Sequence, residues 1–226
     1  MGKLILKTVT GLILLWVGAA GVCALYETYS RAPAMTHDVG AALGGIGLYL
    51  LLQFFLYRPL LTHVLAHELT HALAAVMTGG KVTAIHATTA GGSTTVNRSG
   101  IFISLSPYVF PFYAALFVPV YLMAAVAFKP YLAGLIGFAY AYHLALTAYT
   151  LIQHQPDLKE SGVVFSLIFI GCGNIIVLML LTVLLWPEAL TLGSAFSGIV
   201  RWSAHLAVSL YSTLKPLFIH TEEHPT

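Results

Sequence analysis

His67-Glu68-Leu69-Thr70-His71 sets two imidazoles four residues apart with a carboxylate beside the first. On a helix, residues at i and i+4 share a face, so His67 and His71 can grip one Zn²⁺ while Glu68 stands next to it as a general base. A catalytic zinc takes three protein ligands and leaves a further position for water, so a third ligand is required. The run Gln153-His154-Gln155-Pro156-Asp157-Leu158-Lys159-Glu160 supplies Asp157 as the expected one, with His154 and Glu160, each within a helical turn of it, as chemically competent rivals. His63, one turn before His67 on the same face, is an alternative ligand or a cavity-lining residue. With such a set, zinc makes water acidic near pH 7 (about 7 for the bound molecule), Glu68 takes the proton, the hydroxide attacks a carbonyl, and Glu68 returns the proton to the leaving amine. That sequence of events is peptide-bond hydrolysis. Gln153, Gln155, Asn97 and Asn174 are available to stabilise an oxyanion, and spacing singles out none of them.

The elements that must hold these residues are membrane helices. The chain of 226 residues is 58% hydrophobic and 8% charged, with a mean hydropathy of +0.87, which excludes an ordinary soluble globular protein. Crossing a hydrocarbon core takes about 20 apolar residues, and such runs occur at 8–26, 40–57, 60–78, 103–127, 131–153 and 163–186. The expected fold is therefore an all-α polytopic membrane protein of six transmembrane helices. The zinc motif falls inside the third run, where a carboxylate and imidazoles are costly unless they line a protein-enclosed cavity. Segment 190–219 carries Arg201, His205 and Lys215 among Trp202, Leu206, Leu210 and Leu214 at helical spacing, and is expected to form an interfacial helix, not a span. The first run is expected to be a retained anchor, because it stays apolar past the small residues Gly18-Ala19-Ala20.

A formal charge of +2 on so few ionic residues leaves no nucleic-acid footprint; the expected partners are the lipid bilayer and a substrate within it. Cys23 and Cys172 lack metal-pair spacing and are expected to pack as small apolar groups. His143 is expected to make a buried hydrogen bond, and His86 falls in a stretch of different character. From Gly79 to Gly100 the chain is rich in Thr, Val and Gly, and reads as a β-hairpin of strands 81–88 and 93–98 turned at Gly91-Gly92. If successive spans alternate in direction, span 131–153 returns Asp157 to the side on which the metal helix ends. The same alternation puts Arg31, Lys81, Arg98 and Lys159 on that side and Lys3, Lys7, Arg58, Lys129, Arg201 and Lys215 on the other.

Taken together these residues resemble the site-2 protease family of intramembrane zinc metalloproteases. His67-Glu68-x-x-His71 followed by Ala75, Gly79 and Val82, then Gly91-Gly92, resembles the family's metal helix, turn and adjacent hairpin, and Asp157 matches its third zinc ligand. The resemblance covers about residues 60–186, as a protease core within one membrane domain of residues 1–226; residues 1–57 add two accessory spans and 187–226 the interfacial helix and a polar tail. It implies Zn²⁺ as cofactor, Glu68 as catalytic base, a membrane-spanning protein or peptide as substrate, and a multi-pass location in a bacterial-type inner membrane. Three places depart from the family: Thr70 stands where Gly is common before the second histidine, Ser106-Pro107 replaces a Gly-Pro, and Gln155-Pro156-Asp157-Leu158 lacks the Asn and Gly that usually flank the aspartate. The competing class is a non-proteolytic membrane protein with a structural or decayed metal site, against which Glu68 argues because structural zinc needs no base. A membrane metalloprotease of another family would use Glu160 as third ligand.

Overall fold

The computed structural model describes residues 2–55, 59–153 and 155–219. In chain order they form α1 (Gly2–Ser30), α2 (His37–Phe55), α3 (Leu60–Met77), β1 (Val82–Thr88), β2 (Gly91–Val96), α4 (Ile101–Leu105), α5 (Phe112–Met123), α6 (Lys129–Leu151), α7 (Pro156–Ser161), α8 (Val163–Leu185) and α9 (Leu192–Ile219). The architecture is an all-α polytopic bundle carrying one antiparallel β-hairpin immediately after α3. Among the described residues, five helical stretches are long and apolar enough to cross a membrane: Leu4–Ser30, His37–Phe55, Leu60–Met77, Val126–Leu151 and Val163–Leu185. Leu12, Ile13, Leu50, Leu51 and Leu180 face outward from them, as suits a hydrocarbon solvent in which helices satisfy their own backbone groups.

The expected span 103–127 is not one helix. Ile101–Tyr108 and Phe112–Met123 meet at a 75° bend, and only together do they count as a sixth crossing. The cause lies in two prolines. Pro107 enters a short 3₁₀ turn over Ser106–Tyr108, and Pro111 precedes α5; neither has an amide hydrogen to continue a helix, and a proline disfavours the helical region for the residue before it. The bend leaves Tyr108 with no exposed surface in the middle of the molecule, against Leu105, Leu158 and Ile170.

The hairpin forms as expected, but its turn does not fall at Gly91-Gly92. Thr89 and Ala90 make the turn, while Gly91 and Gly92 open β2 and pair with Thr88 and Ala87. Gly92 is required there by space: a Cβ would lie 2.7 Å from both Glu68 Cγ and Val64 Cγ1 on α3. Segment 190–219 is helical over Leu192–Ile219 and is not among the crossing candidates. It is tied to α1 where Arg201 Nη2 and Trp202 Nε1 donate to Glu27 Oε2 at 2.6 and 2.8 Å.

The order of helix directions corrects the simple alternation. α1 runs alongside α8 in the same direction: Lys7 Nζ donates to the Ser161 carbonyl, Gly18 packs on Cys172, and the Tyr29 and Thr182 hydroxyls are bonded at 2.7 Å. α2 runs parallel to α6, from Ala41 against Gly134 to Tyr49 against Tyr142. Lys7 is thus at the same end of the bundle as Lys159, and Arg31 joins Arg201 on Glu27 at the opposite end. Alternation breaks at α3, whose Thr62 meets Tyr142 midway along α6 and not at its end. Glycines make the close parallel contacts possible, since a Cβ at Gly45 or Gly137 would collide with the facing backbone of Gly134 or Ala42. Cys23 and Cys172 are unpaired, as expected.

Candidate metal centre

Pro59 precedes α3, and no helix breaker interrupts Leu60–Met77, so His67 and His71 share one face a turn apart. Their Nε2 atoms lie 3.2 Å from one another. α7 approaches from the opposite wall. Pro156 opens it at a position where a missing amide hydrogen costs nothing, and the next residue, Asp157, brings Oδ2 to 3.5 Å from each Nε2. Among the described residues, His67, His71 and Asp157 form the group whose donor atoms converge closely enough to hold a metal ion.

The triangle has the right size. Ligands at about 2.0–2.1 Å from a tetrahedral ion are separated by about 3.3–3.4 Å, against the observed 3.2, 3.5 and 3.5 Å. Its protonation is set from outside. His71 Nδ1 lies 2.8 Å from the Ile103 carbonyl; a carbonyl only accepts, so Nδ1 carries the hydrogen and Nε2 keeps its lone pair for a metal. Tyr108 Oη donates to Asp157 Oδ2 at 3.0 Å, and its ring stands edge-on to His67 at 5.0 Å between centroids. Burial pushes the Asp157 carboxyl up, but His67 and His71 outweigh it and hold the group well below the usual carboxylate range. The ligand side chains retain 13% exposure for each histidine and 24% for Asp157, so small molecules can reach them.

Glu68 is 6% exposed and lies beneath the hairpin. Thr94 Oγ1 of β2 is 2.7 Å from its Oε2 and 3.0 Å from its backbone oxygen. The ligands and Glu68 line one cavity of about 620 Å³, whose other walls include Gly91 to Thr94 of the hairpin and Gln153 and Gln155 before α7.

The remaining candidates sort by position. Glu160 lines the cavity and faces the Ser104 hydroxyl at 3.5 Å, but is not one of the converging ligands. His63 is 7% exposed and lines the cavity wall behind His67, also outside the group of three. His154 lies outside the described residues. Asn97 accepts from the Lys81 amide within the hairpin, and Asn174 Nδ2 donates to the Tyr108 and Ile170 carbonyls, so both have structural partners. His143 is buried against the small pocket shared with His63 and does not join the metal group; it makes the buried hydrogen bonding expected of it, with the Tyr108 backbone and the Asn174 side chain, while its Nε2 has no protein partner among the described residues. His86 pairs with Ser93 on the exposed hairpin.

Three participants escaped the sequence reading: the Tyr108 hydroxyl, the Ile103 carbonyl and the Thr94 hydroxyl. Only Tyr108 had a signal, since Ser106-Pro107 marks a helix break that turns the next side chain toward the core. Comparison with known proteins finds no matching family model, curated protein or solved structure.

Proposed function

We propose that this chain is an intramembrane zinc metalloendopeptidase of the site-2 protease kind, cleaving a membrane-spanning protein or peptide. The observation that carries the reading is the convergence of His67, His71 and Asp157 beside Glu68 on one cavity, inside a bundle of apolar helices. Two imidazoles and a carboxylate suit Zn²⁺, and three protein donors are the complement of a catalytic site, whereas structural zinc sites are closed by four. A bound zinc ion supplies Lewis acidity, which acidifies water and polarises a carbonyl.

The chain's own residues do the rest. His71 is held in the ligating tautomer by Ile103, and Asp157 is oriented by the Tyr108 hydroxyl. Glu68 takes a proton from water as the water oxygen adds to the scissile carbonyl, then passes it to the leaving nitrogen. The hairpin and α7 flank the cavity, which favours an extended segment of substrate over an intact helix. The bacterial-type inner membrane is the setting we infer for a multi-pass protein of this resemblance.

The test pairs metal analysis with proteolysis. Purified protein is expected to carry about one zinc per chain, as a three-ligand catalytic site requires, and to cleave a transmembrane peptide. Glu68→Gln should keep the metal and lose cleavage. Protein without zinc, or a Glu68→Gln variant as active as the parent, overturns the reading.

A further inference from the structure

Thr94 sits in the middle of β2, opposite Ile85 of β1, and its hydroxyl lies between two acceptors of a single residue. Oγ1 is 2.7 Å from Glu68 Oε2 and 3.0 Å from the Glu68 backbone oxygen. A hydroxyl has one hydrogen to donate and lone pairs with which to accept. Donation therefore goes to one of the two oxygens at a time. With Glu68 ionised, Thr94 donates to Oε2. With Glu68 protonated, the carboxyl O–H donates to Oγ1, and the threonine hydrogen turns to the backbone oxygen. Both arrangements use the same heavy-atom positions and keep the Thr94 hydroxyl bonded to Oε2.

The surroundings make this matter. Glu68 is 6% exposed, so a carboxyl gaining and losing charge there has little bulk water to solvate either form. Gly92, two residues before Thr94, brings the strand onto Glu68 with no room for a Cβ. The strand thereby holds the hydroxyl within bonding distance.

We propose that Thr94 is a positioning residue for Glu68: its hydroxyl, held over α3 by β2, bonds Oε2 and fixes the carboxyl group beside His67 and His71. The proposal rests on the protease reading. The proton balance is closed. A water O–H bond breaks as the oxygen adds to the carbonyl, and its proton becomes the Glu68 carboxyl proton. When the C–N bond breaks, Glu68 gives that proton to the nitrogen. Water is the sole co-reactant, and nothing is oxidised or reduced.

The experiment uses the full-length protein with a transmembrane peptide substrate, comparing Thr94→Val, Thr94→Ala and Thr94→Ser. Loss of the hydroxyl in the Val and Ala variants should lower kcat on the order of 10²-fold with KM and zinc content unchanged, whereas Ser stays within about threefold of the parent. The proposal is overturned if Val and Ala keep full kcat, if Ser falls as far as Val, or if the loss appears in zinc content or KM instead. A parent protein that holds zinc and cleaves nothing overturns the protease reading and this role with it. An active parent whose kcat survives removal of the hydroxyl overturns the role of Thr94 alone.

Discussion

Of the three proposed ligands, His71 is held by a backbone carbonyl and Asp157 by a phenol hydroxyl, and this separates the expected effects of substitution. Asp157→Ala removes a donor from the triangle and should reduce bound zinc well below one equivalent, while Glu160→Ala, a cavity wall residue, should leave it in place; zinc retained by the first and lost by the second would exchange their roles. Tyr108→Phe keeps the ring against His67 and removes only the bond to Asp157. Zinc affinity measured by competition with a chelator should then fall about 10–100-fold, the usual effect of losing a bond to a ligand. Acid should weaken metal binding, because ligands must be deprotonated to bind. Asp157 is held below the usual carboxylate range and stays ionised, whereas imidazoles must be neutral to ligate and protonate at about 6.5 when unperturbed. Protons thus compete with metal at low pH, and zinc content should drop on acidification and recover on return to neutrality.

On the protease reading, the hairpin is the element on which Glu68 depends. Its contact with α3 is made where Gly92 meets Glu68 and Val64, so Gly92→Ala must lift the strand or displace the glutamate. A shift of about 1 Å at a catalytic group can cost on the order of 10²-fold in rate. Gly92→Ala is accordingly expected to lose that much activity with zinc content preserved, and a fully active variant would show that the strand does not position Glu68. The broken segment from Ile101 to Met123 has a comparable part, since its first limb, Ile101–Tyr108, brings the Ile103 carbonyl to His71 and the Tyr108 hydroxyl to Asp157.

Across the whole molecule, the parallel pairings of α1 with α8 and α2 with α6 decide which ends meet. Single cysteines at Gly2 and Lys159, in a chain whose Cys23 and Cys172 are replaced, should react with an impermeant reagent from the same face, and a cysteine at Arg31 from the other. Labelling of Gly2 and Lys159 from opposite faces would restore simple alternation. The α2–α6 seam is also where packing is tightest: Gly137→Ala would set a Cβ within 2.9 Å of the Ala42 Cα, and overpacking of this kind costs about 1–3 kcal/mol, visible as a lower melting temperature. Much of this was legible along the chain. Apolar run lengths determined the helices, Thr, Val and Gly content the hairpin, and the i, i+4 spacing the pair of histidines, because each of these is a local property of a few turns of backbone. Asp157 was also within reach, as a carboxylate after Pro156 near two imidazoles. The directions in which helices pair, the turn at Thr89-Ala90, and the hydroxyls of Tyr108 and Thr94 against Asp157 and Glu68 were decided only by tertiary structure. Residues 49 and 26 positions apart in the chain meet because glycines and prolines elsewhere permit close approach and bends, and no local pattern encodes which partner such an approach will find.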